Sequence, residues 1–138
     1  MKDIAVKWIG LTLSAMLAGS GHASDSCAEF AGSDPNLLSH NGEALVHLQL
    51  EPNAIQVGEP FDLNLTTCAS GVKVLSADAA MPSHGHGMNY RPGIETESTG
   101  ATVARGFLFP MPGEWEIRIV VKTGGEDISL VRPLEVSP

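Results

Sequence analysis

From Ala44 onward the chain alternates apolar and polar side chains with a period of two. Val46, Leu48 and Leu50 interleave with Leu45, His47 and Gln49. Phe61, Leu63, Leu65 and Thr67 interleave with Asp62, Asn64 and Thr66, and Trp115, Ile117, Ile119 and Val121 with Glu114, Glu116, Arg118 and Lys122. Successive side chains of an extended chain point to opposite faces, so each run predicts a half-buried strand. On this pattern His47 faces solvent. Ile55 and Val57 continue the first strand, and further strands are expected over 72–79, 94–98, 101–109 and 127–136. Turn residues separate the runs at Glu51-Pro52-Asn53, Ser70-Gly71, Thr99-Gly100, Pro110-Met111-Pro112-Gly113 and Gly124-Gly125. Pro133 has no N–H for a ladder, which puts the last strand at an edge or on a bulge. About seven strands and no convincing helix beyond the leader predict an all-β fold, an immunoglobulin-like antiparallel β-sandwich. A barrel is the alternative.

The first part of the chain breaks this pattern. Residues 1–23 read as a signal peptide, with Lys2 and Lys7 as a basic start, an apolar run from Trp8 to Ala18 and a small-x-small site at Gly21-His22-Ala23. The run is too short to span a bilayer, so no membrane span is expected once the signal is removed. Residues 24–43 are rich in Ser, Gly, Asp and Asn and read as an irregular N-terminal arm, leaving 44–138 as the sandwich. Without the leader, 8 Lys and Arg lose two and 16 Asp and Glu lose one, so the remainder carries a formal charge of −9. That argues against nucleic acid as a partner and suits a surface that concentrates cations. Export to the periplasm or outside the cell places Cys27 and Cys68 in an oxidising space. There an even count favours one disulfide over two thiols at a metal site.

The stretch Met81-Pro82-Ser83-His84-Gly85-His86-Gly87-Met88 holds two imidazoles and two thioethers in eight residues. Such soft donors select copper, Cu(I) ahead of Cu(II), over magnesium, calcium or manganese. On a locally extended backbone His84 and His86 project to one face. The competing reading is a plain turn with gap-filling methionines. If successive strands run up and down, the Pro110–Gly113 turn lies at the same end of the sandwich, which adds Met111 to Met81, His84, His86 and Met88 as candidate ligands. Asp78 is a candidate to orient one of the histidine rings. The same bookkeeping brings Cys27 and Cys68 together at the opposite end, away from the candidate site.

Three stretches, 78–89, 106–113 and Glu114-Trp115-Glu116-Ile117, carry a resemblance to the YtkA-like/FixH family of small exported or membrane-anchored β-sandwich domains. The resemblance covers roughly residues 44–136. It implies an accessory role in periplasmic copper handling or cytochrome oxidase assembly. The expected function is a periplasmic copper-binding protein, acting as carrier, buffer or resistance accessory and passing copper to a periplasmic or membrane protein. Its affinity should fall below about pH 6, because free imidazole protonates near pH 6.5. The alternative is a metal-free interaction module whose glycine-containing loop contacts a membrane-protein partner. No Ser-His-Asp spacing, paired carboxylates or phosphate loop points to an enzyme. One oxygenase-like route stays open: cleavage after Gly21 instead of Ala23 would make His22 an N-terminal copper chelator.

Overall fold

A computed structural model describes residues 26–30, 34–98 and 101–138 of the chain. The expected leader and both cleavage positions, with His22, lie outside the described residues. The strands are β1 (Leu37–His40), β2 (Glu43–Glu51), β3 (Pro60–Thr67), β4 (Lys73–Met81), β5 (His86–Gly87), β6 (Gly93–Thr96), β7 (Thr102–Leu108), β8 (Gly113–Thr123) and β9 (Glu126–Val136). Two single 3-10 turns, Ala28–Phe30 and Pro82–His84, are the other regular elements among the described residues. None of their helices is long and apolar enough to cross a membrane.

Two antiparallel sheets form the sandwich. One has the order β1-β2-β3-β7-β6, the other β5-β4-β8-β9. Stripped of β1 and β5, this is a four-strand layer whose first, second, fifth and fourth strands in chain order lie side by side, facing a layer of the third, sixth and seventh. That is the arrangement of an immunoglobulin constant-type domain. The fold is therefore the antiparallel sandwich expected, with nine strands where about seven were predicted.

The alternating positions explain the layers. Val46, Leu48, Phe61, Leu63, Leu65, Ala104 and Phe107 point inward from the first sheet, and Ala77, Ala79, Trp115, Ile117, Ile119 and Val121 answer from the second; all are buried. Each large side chain so buried contributes roughly 1.5–3 kcal/mol of transfer free energy. In β7 the alternation slips at Gly106, which has φ 87 and whose N–H donates to Asp62 Oδ1 at 2.9 Å. This bulge shifts the β3–β7 register between Phe61 and Leu63 and keeps both Ala104 and Phe107 on the core side. β9 is an edge strand, as Pro133 requires.

Three expectations on this sheet need correction. The arm is not irregular throughout, because Leu37–His40 pairs with β2 through Leu37↔His47 and Leu38↔Val46. Residues 55–57 are not strand; β2 leaves the ladder at Glu51↔Asp62, and Ile55 and Val57 pack against the core from a loop. His47 does not face solvent. It is buried beneath the N-terminal segment, its ring stacked on Phe30 with centroids 3.6 Å apart and its Nε2 3.2 Å from Asp34 Oδ2. The covering segment gives both faces of β2 something to pack against. The expected disulfide is present: Cys27 and Cys68 are bonded, with Cα atoms 4.9 Å apart.

Candidate metal centre

The β4–β5 hairpin decides where the His/Met side chains go. β4 pairs with β5 through Ala80↔Gly87 and Met81↔His86, and the Met88 N–H donates to the Ala79 carbonyl at 3.2 Å. Between the strands the chain makes one 3-10 turn over Pro82–His84. It closes at Gly85, where φ is 64 and the N–H reaches the Pro82 carbonyl at 3.3 Å. That left-handed conformation favours glycine. Residues opposite one another in a ladder share a face. Since Met81 and Ala79 are inward residues of β4, His86 and Met88 return on the core-facing side at the open edge of the sheet. His84 stays at the exposed tip.

The segment around His84 is thus a tight turn rather than the extended backbone expected, and the two histidines do not share a strand face. Their rings are 6.2 Å apart, tilted by 42°. An ion bonded to two imidazoles at about 2.0 Å from each nitrogen holds the ring centroids no more than about 6.3 Å apart. The observed separation lies at that limit, so the two rings as they stand are at the edge of the reach of one ion.

The opposite wall comes from the β7–β8 connection. Gly58 N–H donates to the Phe109 carbonyl at 2.8 Å, and the Trp115 indole N–H donates to the Met111 carbonyl at 3.1 Å. The Trp115 ring stacks on Phe109 at 4.5 Å, and Phe109 in turn meets Phe61 edge-on at 5.0 Å. At the end of the turn, a Cβ on Gly113 would lie 2.7 Å from Met81 Cε.

A pocket of about 210 Å³ opens between these walls, lined by His86, Met88, Tyr90, Leu108, Met111 and Trp115 among others. Of the five candidate donors the structure brings His86, Met88 and Met111 to this one pocket. His84 stands exposed beside His86. Met81 is 1 % exposed and belongs to the core beneath the turn, its methyl against Gly113. Among the described residues no three His, Cys, Asp or Glu side chains gather; the donors assembled here are imidazole and thioether. Cys27 and Cys68 are committed to their disulfide.

Asp78 does not orient a histidine. Its Oδ1 accepts from the Ala79 N–H at 2.8 Å, and it pairs across the ladder with Arg118. One pocket residue was missed as such. Trp115 reads in the sequence as plain core, whereas Tyr90, half exposed, reads as a strand-end aromatic or as a ring packing over the site. The signal for Trp115 was its place four residues after Met111, beyond a turn whose two prolines supply no N–H. A wider groove of about 410 Å³ lies against Pro82 and Ser83 and carries Glu114, Glu116 and Glu135. Glu116 is paired with Arg118 at 2.7 Å, and the other two carboxylates leave a negative potential beside the hairpin.

Comparison with protein-family models, with curated proteins and with solved structures finds no match to this chain.

Proposed function

We propose that this protein is an exported copper-binding protein, a carrier, buffer or resistance accessory, that takes Cu(I) ahead of Cu(II) at the open end of its sandwich. The observation that carries the reading is the convergence of His86, Met88 and Met111 on one pocket from two separate connections. Two thioethers and one imidazole form a soft, three-donor set suited to Cu(I). The exposed His84 supplies a fourth donor or the first point of contact for an incoming or departing ion. Thioethers bind without losing a proton and do not pair into disulfides, so such a site works in an oxidising compartment. The Cys27–Cys68 disulfide fits the same compartment. The sequence resemblance to YtkA-like/FixH domains points the same way and suggests a periplasmic or membrane protein as the recipient of the copper.

An anaerobic Cu(I) competition titration, with Cu(II) run in parallel, tests this. One tight equivalent of Cu(I) is expected. His86→Ala, Met88→Leu and Met111→Leu should each weaken binding by at least the roughly 10–100-fold that loss of a mere outer-shell partner costs. Met81→Leu should leave the affinity unchanged. A parent protein that melts cooperatively yet takes no copper would sink the reading and leave the pocket as a contact for a protein partner.

A further inference from the structure

We infer that Trp115 is a positioning residue for Met111: its indole N–H aims the thioether into the pocket, a role that goes beyond and rests on the copper reading. Trp115 is 1 % exposed, and its N–H donates to the Met111 carbonyl at 3.1 Å. A buried indole N–H needs a partner. The choice of acceptor is what matters. Pro110 and Pro112 have no N–H, so the turn holding Met111 has few backbone donors with which to fix itself. Met111 also precedes Pro112, which restricts its backbone to the extended region. With that freedom already narrowed, anchoring the Met111 carbonyl sets the direction of its Cα–Cβ bond and so limits the region its flexible thioether arm can reach. The anchor is itself rigid, because the indole stacks on Phe109, whose own carbonyl is held by Gly58 N–H at 2.8 Å. Trp115 additionally lines the pocket, so the ring that holds the ligand also bounds the space the ligand enters.

The test removes the N–H without removing the ring. Trp115 is replaced site-specifically by β-(3-benzothienyl)alanine, in which sulfur takes the place of the N–H at nearly the same shape, and Trp115→Phe serves as a second variant. Two readouts are taken on each folded protein. The first is metal-free: with methyl-labelled methionine, the Met111 methyl resonance should broaden or move towards the position of a mobile methionine, while the Met81 resonance holds. The second is Cu(I) affinity, expected to fall about two- to tenfold for one lost hydrogen bond. That fall should vanish in a Met111→Leu background, because a positioning residue has nothing left to position there. An unchanged Met111 resonance overturns the inference, as does a loss of affinity equally large with Leu at 111, which would mark general loosening of the core. If the parent takes up no Cu(I), the copper reading fails, and the methyl spectrum still decides whether the indole orders Met111.

Discussion

The two ends of the sandwich use similar residues to opposite purposes. At the end of β3, Cys27 and Cys68 are both buried and bonded, Ser26 N–H donates to the Cys68 carbonyl at 3.2 Å, and Cys68 N–H to the Leu45 carbonyl at 2.9 Å. The histidine near this closed end, His47, is stacked on Phe30 and faces a carboxylate. At the other end His84 and His86 are exposed and have each other as ring neighbours, while Met88 and Met111 are half-buried against the core. Sulfur at one end is tied up covalently; sulfur at the other stays as thioether beside a pocket. The residue type does not decide whether a histidine is structural or available. What decides it is whether neighbouring segments have already supplied its partners.

If the closed end is purely structural, breaking it should cost stability and nothing else. Cys27→Ser with Cys68→Ser opens a bond that spans 41 residues. The expected loss is about 2–4 kcal/mol, chiefly through the freed unfolded chain, read from urea unfolding. Cu(I) affinity should not change. A parallel fall in affinity would mean that the two ends communicate and that the sandwich does not insulate them.

A change at the open end should do the reverse and touch both properties. Gly113 has φ 129, and a Cβ there meets the methyl of Met81. Gly113→Ala therefore strains the backbone by about 1–2 kcal/mol and pushes the flexible end of Met81 aside. Because Gly113 ends the turn that carries Met111, Cu(I) binding should weaken as well. Thermal melts and the copper titration check the two halves separately. Lower stability with full copper affinity would show that Met111 is set by its own anchor and not by the seating of the turn.

How far these ends could be read from the sequence depended on local pattern. The inward residues of β2, β3 and β8 alternate so regularly that the layers and their facing sides were legible, and counting strand directions was enough to gather Met111 with the histidine loop and Cys27 with Cys68. Strand β1 was not legible, because Leu37-Leu38-Ser39-His40 is short and sits among polar residues. Its signal was the Asn41-Gly42 pair, with φ of 51 and 83, a hairpin turn joining it to β2. Ile55 and Val57 misled for the opposite reason, since two apolar side chains on a loop can pack on the core without forming a ladder. His47 misled because period two assigns a face but does not reveal a distant segment lying over it. Within the candidate site, donor types were legible. The split that sends Met81 to the core and Met88 to the pocket came from the hairpin register, which the alternating His and Gly of the turn do not encode on their own.

The cover over His47 offers the smallest effect and the sharpest separation of the two ends. Asp34 Oδ1 accepts the Asn36 N–H at 2.8 Å, and its Oδ2 faces His47 Nε2 at 3.2 Å. Arg132 approaches the same group by donating to Asn36 Oδ1 at 3.1 Å. The Asn36 N–H holds the Asp34 carboxyl below its ordinary value of 3.8, and His47 and Arg132 lower it further against the opposing effect of burial. A carboxyl depressed by folding binds protons more readily in the unfolded chain, so stability rises with pH across the gap between the two values. The contribution is complete above the unfolded value and is lost as pH falls through the folded one. Asp34→Asn should consequently be less stable than the parent at pH 5. The two denaturation curves should draw together as the pH drops below 3.8. Cu(I) affinity at pH 7 should be the same in both. A stability gap that persists undiminished at the acid end would show that the Asp34 charge contributes nothing and that the stack of Phe30 on His47 holds the segment in place.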